Sequence, residues 1–313
     1  MSWDCQDWDC DMFTSPIPLE ELGWTNSVYL GNARSACDPM IVWGTTVETE
    51  RLDAFLVEQR RKSGAIISGA HVLVRAVAES LRQHPKLNRR VVGRRVHQYD
   101  GVNISVPMLQ TRTGEVEMIF LRRAETLSLT EIAETFWNEA RARAQKSAEL
   151  RTTRLEPEPS TWIEALRQRR LKFRKWFRPK LRLHWIHKMS WLAIAYANTY
   201  AIPTWWNWQR QLNGVGAVVN YFGFAGAPSM IMFKPSAMPL SASSVSVTMG
   251  PSEPRTVPLD NAVVVRNQAP LFVRFDHRMV NTFQAAAFIK TLVSHLADPW
   301  TLVEPDADVA KAA

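Results

Sequence analysis

A histidine between two charged residues is the part of this sequence best suited to proton transfer. His277 follows Asp276 and precedes Arg278, and an amide side chain, Asn281, comes four positions later. An imidazole gains and loses a proton near neutral pH, so it is well suited to removing a proton from a thiol, hydroxyl or amine nucleophile. The alternative interpretation is a structural histidine that is satisfied by the neighbouring charges.

The elements around His277 are predicted from hydrophobic periodicity. Helical spacing predicts helices at residues 51–62, from a cap at Ser68 to His84, from a capping box of Ser128 and Glu131 onwards, and at residues 283–296. This places His277 between a strand end and a helix start. Strands mixed with a few long helices predict an α+β fold, with helices on one side of a mixed sheet. The predicted strands are residues 40–48, 91–98, 102–108, 116–122, 215–221, 229–233, 243–248, 262–266 and 271–275.

Four segments in a fixed order resemble a known family. Residues 275–281, FDHRMVN, resemble the DHRxxDG motif of the dihydrolipoamide acyltransferases. Residues 67–88 resemble the family's second core helix and its exit, and residues 102–108 and 128–136 follow in the family's order. The chain is therefore similar to the catalytic domain of the 2-oxoacid dehydrogenase acyltransferases (E2), whose fold is related to that of chloramphenicol acetyltransferase. The similarity covers roughly residues 25–148 and 214–303.

This resemblance implies an activity and an assembly. It implies that His277 is the general base of an acyltransferase that moves an acyl group from a thioester to a hydroxyl, amine or thiol acceptor. It also implies a homotrimer in which the active site lies between subunits. One subunit would supply the base and its neighbour the donor that stabilises the oxyanion.

Two site residues depart from the family pattern. The family's acid, four residues after the histidine, is Asn281 here, and the serine of its TISNLG strand is Asn220. The resemblance counts both positions as catalytic: Asn281 would orient the loop, and the Asn220 amide would stabilise the oxyanion. The expected orienting residues are Asp276, Arg278 and, near the N-terminus of the domain, Arg34.

The chain is predicted to form one catalytic domain with two tails. The expected parts are an acidic N-terminal tail at residues 1–24, the catalytic domain at 25–303 with an insert at about 150–213, and a C-terminal tail at 304–313. Because no lipoyl-type Asp-Lys-Ala hairpin precedes the domain, a stand-alone enzyme without a swinging lipoyl arm is expected. Its donor would be a coenzyme A thioester or an acyl-carrier protein, with no covalently bound cofactor.

Cysteine content and the first residues predict a cytoplasmic protein. The three cysteines, Cys5, Cys10 and Cys37, are too few for a disulfide framework and form no zinc-type CxxC pair. Residues 1–18 are acidic and lack the basic and apolar regions of a signal peptide. A reducing compartment is therefore expected.

The insert combines positive charge with tryptophan. Twelve Lys or Arg residues and no acid lie between Glu164 and Glu253, in a chain with a net charge of +8. A basic amphipathic stretch followed by an aromatic one predicts peripheral contact with a membrane surface, or a cover over a lipid-like acyl chain or acceptor. The alternative is a solvated basic helix on a tryptophan-rich extension of the core. Neither nucleic-acid nor metal binding is predicted. The expected contact residues are Trp176, Trp185, Trp191, Trp205, Trp206 and Trp208.

Two other functions stay open. The amides at positions 220 and 281 favour a non-catalytic trimeric scaffold or lipid-binding protein that has kept the fold. The second alternative is an acyltransferase subunit of a 2-oxoacid dehydrogenase complex that acts on the lipoyl arm of another chain. An enzyme would lose turnover when His277 is replaced, and a scaffold would have none to lose.

Overall fold

The computed structural model describes seven ranges of the chain, residues 14–16, 40–92, 95–110, 115–152, 214–223, 245–259 and 262–303. Within them, the strands are β1 (Thr14–Pro16), β2 (Met40–Glu48), β3 (Arg89–Val92), β4 (Arg95–Tyr99), β5 (Ile104–Gln110), β6 (Glu115–Leu121), β7 (Ala217–Tyr221), β8 (Val245–Met249), β9 (Glu253–Leu259) and β10 (Ala262–Asp276). The α-helices of these ranges are α1 (Glu50–Ser63), α2 (Gly69–Gln83), α3 (Leu129–Thr152) and α4 (Thr282–Ala297). Short 3-10 turns lie at Pro85–Leu87, Ala124–Thr126 and Pro299–Leu302.

The larger sheet is mixed, as the sequence predicted. Its strands lie in the order β2–β10–β8–β7–β5–β6, and β9 pairs with β10. The β5–β7 and β7–β8 pairs are parallel, and the remaining pairs are antiparallel. A smaller sheet has the order β1–β4–β3. The predicted α+β class with a mixed sheet packed by helices is therefore confirmed.

The two faces of the larger sheet differ in character because side chains alternate along each strand. One face joins the helices in the hydrophobic core, and β7 and β8 alternate between buried and half-buried residues. The core-facing strand residues are Ala217, Val219, Val245, Val247, Met249, Leu271, Val273 and Phe275. The opposite face, called the open face below, consists of the half-buried residues Val218, Asn220, Ser246, Thr248, Phe272 and Arg274.

The helices pack against one another over the core face. Helix α2 contacts α3, α4 and β7. A Cβ at Gly69, its first residue, would collide with the side-chain hydroxyl of Tyr221, the last residue of β7. Glycine therefore leaves room for the Tyr221 side chain against the start of α2.

Some of the predicted strands were wrong in extent. Residues 91–98 belong to two strands rather than one, because Val91 pairs with Val96 in an antiparallel hairpin. The runs at 262–266 and 271–275 form a single strand, because residues 268–276 pair continuously with β2. Strand β9 was not predicted, since Pro254 and Pro258 argue against a strand by composition. Its pairing with β10 overrides that local preference.

Two helix starts follow the predicted capping chemistry. At α3, the Ser128 hydroxyl accepts from the Glu131 amide, and the Glu131 carboxylate accepts from the Ser128 amide, at 3.2 and 2.7 Å. At α2, Ser68 is the N-cap, and its backbone N–H donates to Nδ1 of His71 at 3.1 Å. His71 thus lies in the first turn of α2. Its ring is buried and meets Phe136 edge-on, at 4.7 Å between centroids.

Burial of His71 makes the stability of the fold depend on pH. Burial, with a smaller contribution from the nearby charge of Arg60, lowers the pKa of His71 to about 4. The unfolded chain, with a pKa of about 6.5, therefore binds the proton first as the pH falls, and the free energy of unfolding falls below pH 6.5. Between about pH 7.5 and about pH 5.5, His71 is expected to contribute a loss of about 1 kcal/mol.

Urea unfolding of wild type and His71→Gln at these two pH values measures the contribution. Glutamine at this position keeps an acceptor for the Ser68 amide, as in a serine–glutamine capping box, but does not titrate. The wild type should lose about 1 kcal/mol more than the variant between the two pH values. Equal losses would show that other groups dominate the acid sensitivity.

Candidate active site

The predicted site lies where β10 ends and α4 begins. Asp276 is the last residue of β10 and is 5% exposed. A turn follows, in which the Met279 amide donates to the Asp276 carbonyl at 3.1 Å. Helix α4 then begins at Thr282 with Asn281 as its N-cap. His277 is therefore held between two rigid elements, as the sequence predicted.

An ion pair fixes this turn from within. The Arg278 guanidinium donates through Nε to Oδ1 of Asp276 at 2.9 Å and through Nη2 to Oδ2 at 2.5 Å. The Arg278 backbone amide also donates to Oδ1, at 3.0 Å. This two-pronged arrangement fixes both position and angle, which a single bond would not do. The two residues predicted to orient His277 are thus paired with each other on either side of it.

The hydrogen bond of His277 defines which ring nitrogen can act as a base. Nδ1 lies 2.9 Å from the backbone carbonyl oxygen of Val280. Because a carbonyl oxygen only accepts, Nδ1 must carry a hydrogen and donate it. In the neutral ring, Nε2 then bears the lone pair. A proton-accepting nitrogen, with its tautomer set by the backbone, is the arrangement that general-base catalysis requires.

Asn281 joins the loop to the helix. Its Oδ1 accepts from the Gln284 amide at 2.9 Å, and the Gln284 side chain accepts from the Asn281 amide at 3.2 Å. This reciprocal pair is a capping box, which satisfies two backbone donors at the start of α4. The residue at the position of the family's acid therefore acts as an uncharged helix cap here, and its catalytic role stays a prediction.

Asn220 lies on the open face, away from the helices. Its Nδ2 donates to Oγ1 of Thr248 at 3.2 Å and to Oγ of Ser246 at 3.4 Å, both on the neighbouring strand β8. Thr248 and Ser246 were not singled out from the sequence. Their alternation in residues 245–249 places them on one face of a strand, but the pairing of β8 with β7 is not visible in either strand alone.

Asn220 and His277 are far apart within one chain. Asn220 is in register with Thr248, and Thr248 with Phe272, so two strand spacings separate Asn220 from β10. Asp276 lies four residues further along β10, which puts its Cα roughly 16 Å from that of Asn220. Within one chain, the backbone of the turn that carries His277 is therefore well separated from that of Asn220.

Several predicted contact residues lie outside the described residues. Arg34, which was predicted to orient the site, lies outside them, and so does the predicted strand at 229–233. The insert is outside as well, with its predicted contact residues Trp176, Trp185, Trp191, Trp205, Trp206 and Trp208. Among the helices of the described ranges, none has both the length and the apolarity needed to cross a membrane.

Comparison with known proteins finds similarity in sequence and in fold. Residues 39–154 match the family model of the 2-oxoacid dehydrogenases acyltransferase (catalytic domain). The probable dihydrolipoamide acetyltransferase of Listeria monocytogenes 4b F2365 superimposes with a TM-score of 0.51 at 15% identity, over 90% of this chain and 91% of that one. A truncated catalytic core of the 2-oxoacid dehydrogenase multienzyme complex of Thermoplasma acidophilum gives 0.50 at 14% identity, over 88% and 96%. No curated protein sequence matches this chain.

A third structure is that of Azotobacter vinelandii dihydrolipoamide acetyltransferase (E2p), with a TM-score of 0.53 at 18% identity over 92% of this chain and 93% of that one. It belongs to an investigation of a serine, a histidine and an asparagine in the catalytic mechanism of that enzyme. These matches show that the chain shares the fold of the acyltransferase cores. More narrowly, residues 39–154 are similar to the catalytic domain of the 2-oxoacid dehydrogenase acyltransferases, in agreement with the sequence resemblance.

Proposed function

We propose that this chain is an acyltransferase in which His277 is the general base and the Asn220 amide helps to stabilise the oxyanion. The observation that carries the proposal is the hydrogen bond from Nδ1 of His277 to the Val280 carbonyl, which sets Nε2 as the basic nitrogen. The family match at residues 39–154 supports acyl transfer as the reaction class. The ion pair of buried Asp276 with half-buried Arg278 supports the same role by fixing the turn.

The proposed reaction is a direct transfer. Nε2 of His277 accepts the proton of a hydroxyl, amine or thiol while that nucleophile bonds to the thioester carbonyl carbon. The carbonyl electron pair moves to oxygen, where the Asn220 amide donates a hydrogen bond. The intermediate then collapses, the carbon–sulfur bond breaks, and the His277 imidazolium returns the proton to the departing thiolate.

The Azotobacter enzyme supports a role for an asparagine at this position. The histidine and the asparagine investigated in that enzyme are four positions apart, as His277 and Asn281 are here. An amide at position 281 is therefore compatible with a working loop of this kind. The presence of an asparagine instead of the family's acid at position 281 is therefore only a weak argument for a non-catalytic scaffold.

The separation of His277 from Asn220 supports a site made by two subunits. The backbone separation of roughly 16 Å within one chain favours a site in which Asn220 comes from a neighbouring copy, as the family resemblance implies. A cyclic homotrimer supplies three such junctions, each with the base from one subunit and the amide from the next. A monomer would then be inactive.

The donor is proposed to be a coenzyme A thioester, with an acyl-carrier protein as the second source of the same thioester. Both donors carry negative charge, and the chain has a net charge of +8. The membrane contact and the cytoplasmic location stay predictions from the sequence.

Subunit mixing tests the proposed function. Thiol release from acyl-CoAs of increasing chain length is measured for wild type, His277→Ala, Asn220→Ala, and the two variants mixed after unfolding and refolding together. Each variant alone should be nearly inactive. In the mixture, one site in about four would combine an intact His277 with an intact Asn220, so about a quarter of wild-type activity should return.

The other outcomes are equally informative. Active wild type without recovery in the mixture would contradict the two-subunit site. A wild type that releases no thiol from any acyl-CoA or acyl-carrier donor would contradict the enzyme, and would favour the scaffold alternative.

A further inference from the structure

The first turn of α4 carries an exposed aromatic side chain. Phe283 is 87% exposed in the isolated chain, more than any other large apolar side chain in the part of the chain that the structure describes. Helix α4 packs into the core through a different face, which consists of Ala285, Phe288, Ile289, Leu292 and Leu296. The Phe283 ring therefore contributes little to the packing of a single chain.

The start of α4 does not require a phenylalanine at this position. The N-cap is supplied by Asn281, through its reciprocal bonds with Gln284. The first turn of a helix favours polar and acidic side chains, which interact with its free backbone N–H groups and its dipole. A single exposed apolar side chain has no meaning by itself, so the position of Phe283 on the molecule decides.

Phe283 lies beside the loop that carries the proposed base. The His277 ring is bonded to the Val280 carbonyl, and Phe283 follows Val280 by three residues. Three residues of chain span no more than about 11 Å, so the Cα atoms of Val280 and Phe283 lie within that distance of each other. An exposed phenyl ring thus borders the part of the site that supplies the base.

The proposed reaction brings a second surface to the same place. His277 of one subunit and Asn220 of the next act on one thioester, and each must come within about 3 Å of the atom that it binds. The surfaces around these two residues therefore meet when the subunits assemble. On the open face, the apolar neighbours of Asn220 are Val218, two residues away on β7, and Phe272, in the same row on β10.

We propose that Phe283 anchors the subunit contact at the active site, and that its ring packs on the open face of a neighbouring copy, beside Asn220. This inference rests on the proposed function and names the contact that holds the base and the amide together. Aromatic side chains are enriched among the few residues that dominate an interface, because one ring buries a large apolar area. A cyclic trimer repeats the contact three times.

Assembly state, measured separately from activity, tests the proposal. Sedimentation and gel filtration compare wild type, Phe283→Ala and Phe283→Lys over a range of protein concentrations. Wild type should be a trimer at micromolar concentration. Phe283→Ala should raise the concentration at which half of the chains dissociate by at least about 30-fold, the effect of losing a dominant contact residue. Phe283→Lys should be a monomer, because it places a charge against an apolar surface.

Two further variants locate the contact. Val263→Lys is the matched control, since Val263 is also apolar and 75% exposed but lies near the other end of β10, roughly 40 Å from Asp276 along the strand. This control should stay trimeric with wild-type turnover. Val218→Lys, on the surface that receives the ring, should dissociate the trimer while circular dichroism shows an intact fold. A monomeric wild type, a trimeric Phe283→Lys or a trimeric Val218→Lys would overturn the proposal.

Thiol release on the same samples separates this proposal from the proposed function. Phe283→Lys should be monomeric and inactive, and His277→Ala trimeric and inactive. If Phe283→Lys stays trimeric and active while His277→Ala loses turnover, the anchor is wrong and the acyltransferase stands. If the trimer depends on Phe283 but wild type releases no thiol, the contact stands and the acyltransferase is wrong. A trimeric Phe283→Ala with an altered KM would place the ring on the substrate and contradict the anchor.

Discussion

Replacing His277 by alanine is expected to lower kcat for acyl transfer by about 10²- to 10⁴-fold, the usual contribution of a positioned general base. The physical reason is the loss of the Nε2 lone pair that accepts the proton. Asp276 is nearby but is engaged by the Arg278 guanidinium and backbone amide. The remaining rate would come from the Asn220 amide and from substrate positioning.

An asparagine variant separates catalysis from the structure of the turn. The amide nitrogen of His277→Asn can replace Nδ1 as the donor to the Val280 carbonyl, but the side chain is not a base. Its kcat should therefore be as low as that of His277→Ala, while its melting temperature stays closer to that of wild type. His84→Asn is the matched control, since His84 is also half-buried and bonded, to Thr291 at 2.8 Å. If kcat falls equally in both asparagine variants, His277 has no special role.

Replacing Asp276 by asparagine is expected to lower the free energy of unfolding by about 2–3 kcal/mol and to slow turnover. The carboxylate is buried and accepts three donors from Arg278, so the substitution leaves a guanidinium largely out of water without its counter-charge. Since the ion pair spans His277, loosening it should also move the base away from its working position. A shift of this kind by about 1 Å can lower the rate by about 100-fold.

Urea unfolding and kcat measurements on Asp276→Asn check both effects. The control is Asp298→Asn, which removes the carboxylate of an exposed ion pair with Arg51 at 2.9 Å. Exposed pairs contribute less than about 1 kcal/mol, so the control should stay close to wild type in stability and rate. Comparable losses in both variants would mean that burial of the Asp276–Arg278 pair has no particular importance.

Local sequence patterns were sufficient to predict many of the helices and strands that position His277. The bounds of β2 agree with the structure at both ends, because β-branched residues and flanking charges are a strictly local signal. The capping box of Ser128 and Glu131 forms as predicted, because its partners are three residues apart. The position of His277 between β10 and α4 follows for the same reason.

Contacts between segments that are distant in the chain could not be predicted from one sequence. Thr248 and Asn220 are 28 residues apart, and which strand lies beside which depends on the packing of the whole sheet. The hydrogen bond that sets the tautomer of His277 depends on the turn geometry at Val280, which residue types alone do not specify. The family resemblance supplied the identity of the site residues, and the register of β7, β8 and β10 supplied their partners.

The capping box at Asn281 makes the attachment of the His277 loop to α4 independent of ionisation. An amide neither titrates nor carries a charge, so neither acid nor added salt removes this cap. An aspartate in its place would lose its negative charge, and part of its strength as a cap, at low pH. The acyl-transfer rate at low pH can be corrected for the unfolding that protonation of His71 promotes. Any remaining fall in that rate then reflects protonation of the reacting groups and not loss of the cap at the start of α4.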